Sequence, residues 1–358
     1  MVAEKEKTKA WVVSFLVITL GGLIAIGMFN VFIDPLFHYH KPIEGLAYHF
    51  GNERYINNGI TRHFEYDAMI TGSSMTECFK TSECDELFGV KSIKVPCSGA
   101  LYKEINDAEE LALKYNSNLR MIIRGLDYNG IIQESDACNY TGLPDYLYDE
   151  EILNDVNYVW NRDTLIRSLT TVADTCLGAQ SENFDEYQNW GDTCLCGKDV
   201  VLEGYERPDQ SETFHSFSEE DKRLVEDNIS QNILKLAEDH PQVELYYFFT
   251  PYSIAYWDGL NQSGDLLRQL DAEKYAIELM LQYDNIHLFS FNDAFEMICD
   301  LDNYKDAGHY NGAINTQILK WMSQDQHRLT KDNYQSYCDR VKEFYTGYNY
   351  DDLFEESE

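Results

Sequence analysis

A parallel α/β sheet covered on both faces by helices, carrying an insertion and preceded by one membrane-spanning helix, is the architecture this 358-residue sequence predicts. Three observations lead there. The N-terminus holds a long uncharged stretch, short apolar runs alternate with helix-length segments, and Gly, Ser and Asp recur where those runs end. Strands buried on both faces read as continuous apolar runs, and strand–helix alternation is the mark of parallel pairing.

The N-terminal stretch comes first. Residues 10–33 carry no charge, and 14 of positions 11–33 are Val, Ile, Leu or Phe. Side chains of that kind favour insertion by about 6 kcal/mol in sum, less what Ser14, Thr19 and Asn30 take back. A helix of that length reaches about 36 Å, enough to cross a bilayer with some tilt. No small-x-small cleavage site stands before Asp34-Pro35, so the stretch reads as an uncleaved signal anchor rather than a removed signal peptide. Lys5, Lys7 and Lys9 precede it, while Lys41 is the one base in the next twenty residues. The positive-inside bias therefore predicts a cytoplasmic tail at 1–9, an anchor at 10–33, a juxtamembrane segment at 34–66 and everything beyond outside the cell membrane.

The formal net charge of −34 repels nucleic acid and anionic headgroups, which excludes nucleic acid as a partner and suits a neutral or cationic substrate. Nine cysteines are an odd number, and Cys194-Leu195-Cys196 has no second pair to complete a zinc site. Cys78, Cys97 and Cys299 read as small apolar core residues. His38-x-His40 lacks carboxylate company, so neither a metal nor an organic cofactor is expected.

The α/β domain is predicted over 67–330. Residues 67–72 form the first strand, followed by a helix opening at Ser74. A second strand spans 90–95, a helix 102–115, and a third strand 119–126. Ser218-x-x-Asp221 caps a helix carrying Val225, Ile229, Ile233 and Leu236 near i+4 spacing. It leads to a strand at 243–249, a helix near 265–283 and a strand at 286–289. The last core helix follows Tyr310, with Ile314, Ile318, Trp321 and Met322 on one face. Between 131 and 217 the alternation breaks, and this insertion is rich in Asp, Asn, Tyr and Trp. Within it 153–175 reads as helix and 180–212 as irregular. Residues 331–358 form an acidic tail with one helix around 334–345.

Chemistry enters at Gly72-Ser73-Ser74. A serine at a strand-to-helix turn exposes its hydroxyl, and its own amide lies among the unpaired N–H groups of a helix start. An acyl-transfer nucleophile needs that geometry. Far downstream, Asp306-Ala307-Gly308-His309 supplies a base and its orienting carboxylate from one short loop. The expected catalytic residues are Ser74, His309 as general base and Asp306 fixing the imidazole. In a parallel sheet the loops after the strands gather at one edge, which brings Ser74, Gly99, Asp127, Pro251 and 306–309 to a common rim.

These blocks resemble the SGNH/GDSL hydrolase superfamily, in particular its membrane-anchored bacterial envelope branch, which includes relatives of the D-alanyl transfer protein of teichoic acids and of polysaccharide O-acetyltransferases. Gly72-Ser73-Ser74 matches the first block and Asp306–His309 the last. Gly99 best matches the glycine of the second block. Thr250-Pro251-Tyr252 and Ile33-Asp34-Pro35 are also similar to this branch. The resemblance covers 67 to about 322 without the insertion. It implies a flavodoxin-like three-layer fold and an oxyanion hole built from Ser74, Gly99 and the third block.

That third block departs from the family. Gly125-Leu126-Asp127-Tyr128-Asn129 puts Asp127 where the family has an asparagine. An ionised carboxylate has no proton to donate, and losing one oxyanion donor costs ~100- to 1000-fold in rate. Either Asp127 is protonated, or Asn129 substitutes, or Asp127 contacts substrate. The resemblance implies a membrane-anchored, extracytoplasmic serine esterase or O-acyltransferase. Its substrate would be a cell-envelope polysaccharide or an acylated carrier, with a membrane-bound acyltransferase as a possible partner. The rival reading is a catalytically silent glycan-binding or assembly subunit of the same fold. Tyr140, Tyr146, Tyr148, Tyr158, Trp160, Tyr187 and Trp190 in the insertion suit either sugar stacking or a small local core.

Overall fold

A computed structural model describes residues 2–140 and 143–354, with side chains from residue 7 onward. The last four residues of the acidic tail, 355–358, Met1 and insertion residues 141–142 lie outside the described part. In chain order the main elements are α1 (Val2–Ile33), α2 (Glu53–His63), β1 (Ala68–Gly72), α3 (Thr81–Phe88), β2 (Ser92–Pro96), α4 (Tyr102–Tyr115), β3 (Met121–Leu126) and α5 (Arg162–Cys176). They continue with α6 (Glu219–Ile229), β4 (Glu244–Phe249), α7 (Ile254–Ser263), α8 (Leu266–Met280), β5 (Ile286–Ser290), α9 (Gly312–Ser323), β6 (Arg328–Leu329) and α10 (Tyr334–Gly347).

The chain divides into two compact units, Met1–Phe64 with Gly142–Asn183, and Glu65–Thr141 with Phe184–Glu358. The first holds α1, which is long and apolar enough over Lys7–Ile33 to span a membrane, at a mean hydropathy of 2.5. Its end is fastened by Asp34, fully buried at φ +48°, whose carboxylate accepts from the amides of His38, Tyr39 and His40 and from the Tyr158 hydroxyl at 2.6 Å. His38 and Tyr39 turn their side chains to Asp155, each at 3.0 Å.

The second unit is a six-stranded sheet in the order β2-β1-β3-β4-β5-β6, parallel except for β6. Every residue of β1, β2 and β3 is buried, so these strands carry no polar face, and the two charges within them, Lys94 and Arg124, are buried as well. Met69, Ile70, Ile122 and Ile123 are fully buried, each contributing about 1.5–3 kcal/mol. The chain steps one way from β1 to β2, then returns across β1 to β3 and onward. Right-handed crossovers then put the helices on opposite faces. Accordingly α3 packs on α9, while α4, α6, α8 and α10 form a second set.

One buried charge pair crosses that second set. Arg124 of β3 meets Glu109 of α4 at 2.8 Å with both side chains fully buried. Its guanidinium also donates to the carbonyls of Asn232 and Tyr102. Asn232 lies in a π-helical segment, Ser230–Leu234, that follows α6.

Several predicted elements change. The helix expected to open at Ser74 is one 3-10 turn, Ser74–Thr76, and the α-helix begins only at Thr81. The helix expected over 153–175 starts at Arg162, because Asn161 caps it by accepting from the Asp163 amide at 2.7 Å. Before it only a short turn, Val156–Val159, is helical. Helix α7 interrupts what read as a single connection, and β6 is too short at two residues to show any periodicity. Of the 131–217 insertion, 143–183 falls in the first unit, and 131–140 with 184–217 in the second.

Candidate active site

Strand β1 lies between β2 and β3, so the loops after these three strands leave the same edge of the sheet. Gly72 is in register with Pro96, and Thr71 with Arg124. This is the point where the strand order reverses, the usual place for a crevice in an open parallel sheet.

Ser74 occupies the sharp turn there. Gly72 has φ +146°, and a Cβ on it would stand 2.6 Å from Thr76 Cγ2, so only glycine fits. Ser73 caps the 3-10 turn by accepting from the Met75 amide at 3.2 Å. Within residues 71–79, Ser74 alone is not buried. Lys94 of β2, itself fully buried, donates from Nζ to the carbonyls of Glu77 and Phe79 at 2.5 and 2.9 Å. That ammonium fixes the exit of the turn.

His309 approaches from the other end of the chain. Tyr304 and Tyr310 form an antiparallel bridge, and the Lys305 amide donates to the His309 carbonyl at 3.0 Å, closing a narrow loop. The Tyr310 hydroxyl and the Asn315 amide both donate to the Met75 carbonyl, tying this loop to the serine turn. Ser74 Oγ and His309 Nε2 are 2.8 Å apart. His309 Nδ1 is 2.9 and 3.0 Å from the two carboxylate oxygens of Asp306. Burial alone would raise the Asp306 pKa. The His309 ring, with the backbone N–H groups of His309 and Gly308, outweighs it and holds the carboxyl at about 2. Asp306 is therefore charged at neutral pH, and its oxygens direct Nδ1–H inward so that Nε2 faces the serine.

The predicted oxyanion residues are placed as follows. Gly99 sits at φ +69° in the turn after β2, closed by the Ala100 amide donating to the Cys97 carbonyl at 2.9 Å. Asn139 Nδ2 donates to its carbonyl at 2.7 Å. Among the described residues, neither the Ser74 nor the Gly99 amide donates to a backbone carbonyl in the turns and loops of the site. Asp127 is buried at 4% exposure, and its Oδ1 accepts from the Thr250 and Tyr252 hydroxyls at 2.9 and 3.0 Å. Burial and this carboxylate push the Tyr252 phenol well up, so it stays a donor. Asn129 is exposed in the turn Tyr128–Gly130. The structure brings Ser74, His309 and Asp306 into one hydrogen-bonded chain, and it holds the Asp127 carboxylate from the loop after β4.

Two contributors were not placed at the site from sequence. Trp190 sets its ring edge against the imidazole of His309, centroids 5.5 Å apart, and donates from Nε1 to Glu77 Oε2 at 2.6 Å. Lys305 lies over the Trp190 ring at 3.7 Å. The Trp190 segment is strapped down by Asp185, which accepts from Thr81 and from both the amide and hydroxyl of Ser82 at the start of α3. Ser253 is the second contributor. Its amide and hydroxyl both donate to the Ala307 carbonyl, at 3.0 and 2.8 Å, so the 250–253 segment supports the Asp306–His309 loop and Asp127 together. The aromatic richness of the insertion was visible, but nothing in sequence separates Trp190 from Tyr187, which is fully buried. Among the described residues no cluster of three His, Cys, Asp or Glu side chains could hold a metal ion.

No protein-family model matches the chain, and no curated protein matches it in sequence. A solved structure described as a "putative platelet activating factor" from Streptococcus pneumonia is similar at 13% identity and a TM-score of 0.37, covering 76% of this chain and 90% of its own.

Proposed function

We propose that the chain is a membrane-anchored serine esterase or O-acyltransferase of the SGNH/GDSL type, acting outside the cell membrane on envelope glycans or their acyl carriers. The observation that carries this reading is the unbroken chain from Ser74 Oγ through both nitrogens of His309 to Asp306. In this reading Ser74 Oγ attacks the acyl carbonyl as its proton passes to His309 Nε2. The tetrahedral oxyanion settles on the amides of Ser74 and Gly99. Collapse expels the alcohol, which takes the proton from Nε2, and leaves an acyl-enzyme. Water or a sugar hydroxyl then repeats the cycle in reverse, with His309 again accepting the proton. The anchor rather than a cleaved signal is favoured because Gly27, Asn30 and Ile33 of α1 are buried against the rest of their own unit.

One observation favours a second reading, a silent glycan-binding subunit of the same fold. Asp127 offers an acceptor where an oxyanion donor would stand. Turnover of a small acetyl ester separates the two. The enzyme reading expects Ser74→Ala and His309→Ala to remove nearly all turnover and Asp306→Asn to leave a residue. Turnover in the His309 variant equal to that of the parent defeats it.

A further inference from the structure

Helix α5 is built inside out. Its buried positions are Thr164, Ser168 and Thr171, and its hydroxyls turn back on the helix itself: Ser168 to the Thr164 carbonyl at 2.9 Å, Thr175 to that of Thr171 at 2.6 Å. The opposite stripe, at spacings of three and four, is Ile166, Leu169, Ala173 and Leu177. Ile166 is 47% exposed, Leu169 54% and Leu177 83%. A helix facing water would bury the Ile and Leu and expose the Thr and Ser. Small hydroxyl residues turned toward a neighbouring helix, with apolar residues outward, are the arrangement that a bilayer rewards.

The neighbour is α1. Helix α5 packs on it, and the residues leading into α5 are pinned to it. Trp160 Nε1 donates to the Leu23 carbonyl at 2.8 Å, and Asn30 Nδ2 donates to the Val159 carbonyl at 2.9 Å. Leu23 lies ten residues before Ile33, about 15 Å back along the helix and well inside its uncharged stretch. The half-exposed Trp160 indole therefore stands beside the uncharged stretch itself, its N–H satisfied by the Leu23 carbonyl and its apolar ring available to acyl chains. Met28 and Phe32 of α1, one turn apart and on the same levels as Gly27 and Asn30, are exposed as well, at 68% and 65%. Arg162 and Asp163 at the start of α5, and Asp174 paired with His49 at 3.0 Å, limit the depth to the interfacial layer. Fifteen residues are also too short to span a bilayer.

We infer that the stripe Ile166–Leu169–Ala173–Leu177, with Trp160, Met28 and Phe32, is a second membrane-contact surface whose occupant is the acyl-chain border of the outer leaflet. This rests on the reading of α1 as a retained anchor. In this arrangement α5 lies along the membrane surface as an interfacial helix, and the first unit is held by two elements rather than one.

The test uses the full-length protein in phosphatidylcholine vesicles that contain a lipid with a diazirine in its acyl chain. After irradiation, adducts are mapped by peptide mass spectrometry. Adducts in both 11–25 and 160–177 are expected. In the double variant Ile166→Asn, Leu169→Asn those in 160–177 should be lost while those in 11–25 persist. Adducts in 11–25 with none in 160–177 overturn the inference and leave the anchor standing; the stripe would then await a membrane protein rather than lipid. Adducts in 160–177 that survive the double variant overturn it as well. Absence of adducts from both regions sinks the anchor reading and this one with it.

Discussion

Tyr252 gives its phenolic proton to Asp127 Oδ1 at 3.0 Å, from the same strand-end segment whose Ser253 holds the Ala307 carbonyl. The acidic residue in the oxyanion region and the loop bearing His309 thus share one support. Asparagine at 127 would keep an oxygen for Thr250 and Tyr252 and would put an NH2 in place of Oδ2. Asp127→Asn should therefore speed cleavage of a small acetyl ester, by about tenfold or more if it completes the hole. A fall in kcat/KM instead would mean that the carboxylate contacts substrate.

Trp190 packs edge-to-face with the imidazole of His309 and is itself held by Glu77. Trp190→Phe keeps the ring and loses the bond to Glu77. Trp190→Ala removes both, freeing His309 to leave the line between Ser74 and Asp306. Small misplacements of a reacting group cost up to about 100-fold. The expected order of kcat is parent, Phe variant, Ala variant, with KM and far-UV circular dichroism little changed. Equal kcat in all three would remove Trp190 from the positioning role.

Away from the site, Glu273 sets a pH dependence of stability. It is 2% exposed, and burial raises its carboxyl. Hydrogen bonds from Tyr337, Ser290 and Asn292 offset part of this, leaving it at about 7 against an ordinary 4.5. Between those values the folded protein keeps a proton that the unfolded chain has lost. Stability from this group is therefore full below about pH 4.5 and declines as pH rises through about 7, by about 3 kcal/mol in all. Glu273→Gln should unfold at higher urea than the parent at pH 8 and at similar urea near pH 4.5. A variant weaker than the parent at both pH values would contradict this assignment.

Sequence disclosed the parts that follow from local pattern. The strands of the sheet centre were visible because burial on both faces leaves mostly apolar runs, such as Met121–Leu126 with Arg124 as its one charge. Helix α6 was visible through its capping box, in which Ser218 and Asp221 satisfy one another. That Ser74 and His309 meet was legible because a strand-end serine and an Asp-x-x-His loop both follow strands of one parallel sheet, whose loops share an edge. What stayed hidden depends on contacts far apart in the chain. Lys94 reads as a surface residue of a short strand, yet it is buried where its ammonium finds two carbonyls. Trp190 looks like its aromatic neighbours until the fold sets it beside His309. The boundary at Asn161 was missed because the apolar residues before it mimic helical spacing. Their role is instead to meet α1 through Val159 and Trp160.

The proposed chemistry requires Ser74 to be a nucleophile activated by His309. The most direct measurement is intact-mass and peptide mapping of the full-length protein after exposure to a fluorophosphonate. A single adduct on Ser74, absent from Ser74→Ala and strongly slowed in His309→Ala, is the predicted result. A folded protein that takes up no label, or labels equally fast without the imidazole, would contradict it.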